Sequence, residues 1–265
     1  MTADAPGSAT DVDGVLAELR TVVDRAAAAG DRIGLFAALY RQVTLAVAQA
    51  IRDGVFDDGP RLNRLDTTFA NRYLAALHAC QAPGDPHAAP HCWQLAFEAA
   101  RRPGPVIVQH LVLGVNAHIN LDLAVAAART CPGSAIADLT QDFDRINGIL
   151  ASVMGGLQHT VERFSPVLAG LDVVLGRLDD QIIGFSLEKA RSEAWDAAVL
   201  LAGQPPEAQA ATEGMLDRYA TGLARAVLAP PWPLPAALEV VRSTEGTPVR
   251  EVIEALDQGA GVTGG

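Results

Sequence analysis

From residue 106 to residue 130 the chain is apolar on every side of a helical projection, interrupted only by Gln109, His110, Gly114, Asn116, His118, Asn120 and Asp122 before Arg129. A helix that is apolar all round is buried among other helices, so this segment must be the central element of a larger helical core. Its polar groups are then buried with it. Each buried donor or acceptor left unpaired costs about 1–3 kcal/mol, so neighbouring elements must supply partners.

At about 100° per residue, His110, Gly114, His118 and Asp122 fall at about 0°, 40°, 80° and 120°, a single slanted stripe, while Asn116 and Asn120 fall near 240° and 280°. His118 and Asp122 stand four residues apart. At that spacing an Asp can orient an imidazole for acid–base work, two side chains can hold one metal ion, or a buried hydrogen bond can simply fix the helix. His110 lies two turns away, about 12 Å along the axis. Gly114 costs about 1 kcal/mol against alanine inside a helix, which predicts a ligand or a close helix beside it.

Apolar residues recur at three- and four-residue intervals elsewhere, and no β-branched run alternates strictly, so the chain should be all-α. Asp11 or Asp13 can cap a first helix ending near Gly30. Further helices are expected over about 31–53, 62–80, a short one holding Trp93 and Phe97, 106–130, 135–164, one beginning at Ser165-Pro166, 179–202 and 206–228. One multi-helix bundle domain should span 11–228. A small C-terminal helical appendage should span 229–265: a proline-rich linker packing Trp232, a short helix begun at Thr247-Pro248, and a disordered tail from 260.

At 265 residues the chain can bury a full core without staples. Cys80, Cys92 and Cys131 lack paired spacing and read as small buried hydrophobes in a reducing compartment. A net charge of −11 with scattered arginines argues against nucleic acid. No uninterrupted apolar run reaches the ~18 residues of a membrane span, and the first ten residues lack the basic and apolar regions of a secretory signal, so a cytoplasmic protein is expected. No Gly-rich phosphate loop, Gly-x-Ser-x-Gly, His-Glu-x-x-His or repeated Glu-x-x-His occurs, and nothing selects haem. His78, His87, His91 and His159 read as surface residues, and Trp195 as a core anchor.

Residues that could face the central stripe are Asp66, Asn71, Glu98, Asp142 and Asn147. Each has a simpler role available: Glu98 can pair with Arg101 or Arg102, and Asp142 can cap a helix or pair with Arg145. Asp144 reads as solvated.

Several strings are similar to a bacterial family catalogued as a domain of unknown function, number 5995: Leu65-Asp66 with Phe69-Ala70-Asn71, Trp93 with Phe97-Glu98, Pro103-Gly104 with Gln109, Asp142 with Asn147, and Lys189-Ala190-Arg191 with Ala194-Trp195. The most specific is Gly114-x-Asn116-Ala117-His118-Ile119-Asn120-x-Asp122-Leu123. The resemblance runs over about residues 34–202. It implies an all-helical fold and a site at His118 and Asp122, with an apolar residue where this chain has His110, and it brings no reaction with it.

The reading that follows is an enzyme, of cyclase, isomerase or hydrolase type, acting on a small, mostly apolar metabolite between helices. His118 would be general acid or base, Asp122 its orienting partner, and Asn116, Asn120, Asp66, Asn71, Glu98, Gln109, Gly114, His110, Asp142 and Asn147 the substrate's surroundings, with no cofactor required. Two alternatives stand beside it: a hydrolase holding a divalent metal on His118, Asp122 and a third carboxylate, and a non-catalytic ligand-binding or interaction protein. A homodimer is compatible with all three.

Overall fold

The computed structural model describes residues 8–82, 88–165 and 187–259. The expected helix at Ser165-Pro166, residues 179–186 of the next one, His87 and the tail from 260 lie outside the described residues. Among the described residues the fold is all-α, with no strand. The helices are α1 (Val12–Ala29), α2 (Ile33–Arg52), α3 (Gly59–Gln81), α4 (His91–Ala100), α5 (Ile107–Ala117), α6 (Ala124–Thr130), α7 (Thr140–Phe164), α8 (Leu187–Ala202), α9 (Pro206–Leu228), α10 (Leu234–Thr244) and α11 (Val249–Gln258).

Local chemistry sets the ends. Asp11 accepts the Gly14 N–H at 2.8 Å to start α1, and Gly30, at φ 63°, takes the left-handed conformation that ends it. Asp58 caps α3 through Arg61 N–H at 2.8 Å, with Pro60 in the first turn.

α5 and α6 are one continuous rod joined by a π-helical turn, His118–Leu123. This rod is the buried axis, packed by α2, α3, α4, α8 and α9. Two of its helical neighbours and the rod itself receive caps from carboxylates remote in sequence. Asp142 accepts Asp57 N–H at 2.8 Å and Asp58 N–H at 3.2 Å before α3; Asp217 accepts His91 N–H and Cys92 N–H at 3.0 and 2.9 Å at the start of α4; Glu245 accepts Ile107 N–H at 3.0 Å at the start of α5. None of the orphan N–H groups of α4 or α5 has a capping side chain on its own N-cap residue, so these long-range bonds tie the bundle together.

Several details differ from the sequence expectations. The segment expected as a helix from 135 begins as a 3-10 turn, Gly133–Leu139, before α7. The proline-rich stretch gives way to helix α10, since prolines at a first turn cost no backbone bond. Trp232 does not pack: it is 85% exposed. α11 lies against α1 and α2, with Val252, Ile253 and Leu256 in the same core cluster as Leu35, and with Asp257 paired to Arg41 at 2.6 Å. Gly34 allows this approach, because a Cβ there would lie 2.6 Å from the Ile253 side chain.

Ile33–Arg52 and Ile107–Thr130 are long and apolar enough, by length and composition, to cross a membrane. The sequence expectation counted uninterrupted runs, whereas isolated polar residues leave the average of these segments apolar. Most of each is buried within the fold, as core helices of a bundle are.

Candidate functional site

The π-helical turn places His118 at its first position and Asp122 near its end, and both side chains are buried. Such turns are rare and widen the backbone locally, often where a helix carries a site. His118 Nδ1 stands 3.2 Å from Asp122 Oδ2. The same oxygen accepts the Trp93 indole N–H at 2.9 Å from α4, and Oδ1 accepts the Arg72 Nε–H at 2.8 Å from α3. Beyond Arg72, Glu213 at 3.7 Å and Arg129, 2.9 Å from Glu213, continue an alternating line of charge to the surface.

Paired with Arg72, Asp122 acts as an acceptor only, so His118 donates its Nδ1–H and leaves Nε2 with a free lone pair. Burial pushes the His118 pKa below the usual imidazole range, against the opposing pull of Asp122. The ring is therefore neutral near pH 7. Five aromatic rings surround it, in a chain that is only 5% aromatic: Phe69 stacks at 3.5 Å and 10°, Tyr40 meets it edge-on at 4.4 Å, and Phe36, Tyr73 and Trp93 stand 5.8–6.3 Å away. His118 Nε2 has no hydrogen-bond partner.

His118 forms part of the wall of an apolar cavity of about 70 Å³ bounded by α2, α3, the central rod, α7 and α8. Two more buried polar groups share that wall, and each has an atom without a partner: Tyr40 Oη and Asp66 Oδ2. Burial alone raises the Asp66 pKa to about 7, and burial followed by the nearby Asp66 raises that of Tyr40. The cavity also meets Arg191, from α8, which the residue-by-residue reading of the sequence did not single out.

The other sequence candidates fall elsewhere. Asn116 donates to Ala220 O at 2.8 Å on α9 and accepts from Asn120 at 2.9 Å, so both amides serve the rod's opposite face. Gln109 accepts Val106 N–H at 3.0 Å and donates to Val227 O at 2.6 Å. Gly114 is a packing glycine: a Cβ would lie 2.3 Å from Phe36 Cγ. His110 is buried beside a cavity of about 20 Å³ with Phe36 and Trp93, its Nε2 unpartnered and its pKa brought down to about 4 by burial and Arg32. Asn71 exchanges two hydrogen bonds with the Ala9 backbone, Glu98 is exposed, Asp142 is the helix cap described above, and Asn147 accepts from Arg191.

His118 and Asp122 do not fit a metal as arranged. Both Asp122 oxygens are engaged by N–H donors, and the Arg72 cation stands where a metal would need its carboxylate. Among the described residues no three His, Cys, Asp or Glu side chains gather as a ligand set.

A comparison with protein families matches residues 12–230 to the model described as "Family of unknown function (DUF5995)", a longer stretch than the motifs alone suggest, and the chain belongs to that family. No curated protein and no solved structure gives a significant match.

Proposed function

We propose that this member of the family of unknown function is an enzyme that takes a small, mostly apolar metabolite into the cavity beside His118 and works on it by acid–base chemistry. The observation that carries this reading is the set of three buried, unpartnered polar atoms, on Tyr40, Asp66 and His118, around one otherwise apolar cavity. A stable core has no use for such atoms, each of which costs about 1–3 kcal/mol, whereas a substrate's polar group can pair with them.

The roles follow from the protonation states. His118 is a neutral base, with Nε2 able to accept a proton and Asp122 holding the ring through Nδ1 and stabilising the imidazolium that forms. Asp66, raised to about 7, keeps its proton in a good part of the population at neutral pH and can donate it. Burial has reversed the usual order of these two groups, making the imidazole the base and the carboxyl the acid. Abstraction of a proton at one atom and its return at another describes an isomerisation or a cyclisation, and these are the reaction types the pair suits. The Phe69 and Tyr40 rings exclude water from the imidazole.

The test is untargeted mass spectrometry of a library of small apolar metabolites incubated with the wild type and with His118→Gln, after circular dichroism has shown that the variant folds. Compounds converted by the wild type and left intact by the variant support the reading. Conversion of nothing, or equal conversion by both proteins, overturns it.

A further inference from the structure

Among the described residues Arg191 is the one arginine or lysine on the cavity wall, and its setting is unusual for a cation. Its side chain is buried, 4% exposed. Nε donates to Asn147 Oδ1 at 2.5 Å, Nη2 donates to the Phe143 carbonyl at 3.0 Å, and the guanidinium carbon lies 4.3 Å from the centre of the Phe143 ring. Each of these partners is neutral. Among the described residues no carboxylate comes within 4.0 Å of Arg191, although arginines 41, 61, 72 and 145 all have one. Burial pulls its pKa down to about 10, still far above neutrality, so the group is charged.

Asp144, exposed on α7, acts on Arg191 only at longer range. A buried guanidinium with no ion-pair partner in contact is costly to keep, and the neutral partners fix its orientation without cancelling its charge. We infer that Arg191 is the anion-recognition residue of the cavity, and that the molecule taken there is an apolar monocarboxylic acid whose carboxylate pairs with it. The planar fork of a guanidinium matches a carboxylate through two parallel N–H···O bonds. A phosphate would call for more than one cation, and the described residues of the cavity wall supply one. The rest of that wall, with Leu39, Val43, Leu65, Ile119, Leu150 and Met154, suits the hydrocarbon part of such an acid. Asp66 does not neutralise Arg191: its raised pKa comes from burial with no arginine pulling it down.

This inference rests on the cavity being a small-molecule site, as proposed above, and names the class of molecule. The experiment is isothermal titration calorimetry of the full chain at pH 7.5 with hexanoate and, separately, with 1-hexanol. An acid bound about tenfold or more tighter than the alcohol, with the difference lost in Arg191→Gln and partly kept in Arg191→Lys, is the expected result. The wild-type comparison stands without either variant, should one fail to fold. Equal binding of acid and alcohol overturns the role of Arg191 and leaves the cavity a ligand site. Binding of neither overturns both readings. An acid preference that persists in Arg191→Gln places the anion contact elsewhere and overturns the assignment. Catalysis is tested separately by His118→Gln, so its failure would leave the carboxylate site standing.

Discussion

His118 Nδ1 stands 3.2 Å from Asp122 Oδ2 inside a π-helical turn, and that oxygen also receives the Trp93 indole N–H. The carboxylate is thus held from two other helices before it holds the imidazole. Orientation of His118 is a property of the bundle, supplied by α3 and α4 through Arg72 and Trp93.

Removing the carboxylate should therefore cost more than one hydrogen bond. Asp122→Ala leaves Arg72, whose side chain is 15% exposed, with Glu213 at 3.7 Å as its nearest acid, and should destabilise the fold by about 3–5 kcal/mol. Adding Arg72→Met should recover part of that loss. Urea unfolding of the two single variants and the double variant checks it: strictly additive losses would show that the pair is not coupled.

Asp66 gives stability a pH dependence of definite sign. Its folded pKa, about 7, lies above the ordinary 3.8, so between those values the folded chain keeps a proton that the unfolded chain has lost. Stability from this group is fully present below about pH 4 and falls as pH rises to about 7, by about 4 kcal/mol at most. Asp66→Asn should gain on the wild type in urea titrations as pH is raised over that window. Parallel curves for the two proteins would contradict the buried carboxyl.

His110 acts in the opposite direction. Its folded pKa of about 4 lies below the ordinary 6.5, so the unfolded chain binds the extra proton and stability falls as pH drops from 6.5 towards 4. Replacing it with leucine among Phe36, Trp93 and Ala96 should flatten that acid limb, by about 3 kcal/mol at most, with little effect above pH 7. Acid unfolding curves that coincide for the two proteins would argue against a buried neutral ring.

Gly114→Ala sets two effects against each other. Helix propensity favours alanine by about 1 kcal/mol, but the added Cβ would sit 2.3 Å from the Phe36 ring. Overpacking should win, with a net loss of about 1–3 kcal/mol seen as a lower Tm. A higher Tm would mean that the α2 contact yields easily.

The central rod and its His–Asp pair were legible in the sequence because an all-apolar helix has one place to go and because four-residue spacing is a local property. Caps at Asp11 and Gly30 were legible for the same reason. Long-range partners were not. Asp142 was readable as a cap or a partner of Arg145, and it pairs with Arg145 at 2.7 Å, but spacing could not show that the helix it caps is α3, 84 positions away, or that Trp93 supplies a donor to Asp122. Straight-helix geometry separated Asn116 and Asn120 from His118, and they do face α9, yet periodicity gave no hint of the π-helical turn. Arg191 stood in the sequence as one basic residue beside Trp195. What distinguishes it among the described residues is burial with no carboxylate within ion-pair distance, which no spacing encodes. α11 joined the core through Ile253 and Gly34, a fit between segments more than 200 residues apart.

Acid–base work by His118 requires a neutral ring with its lone pair on Nε2, which nitrogen-15 NMR of the imidazole in the 265-residue chain reads out. The expected result is the Nδ1–H form at pH 7, persisting on acidification past 6.5, with the signals assigned by their loss in His118→Gln. An Nε2–H tautomer, or an imidazolium at pH 7, would contradict it.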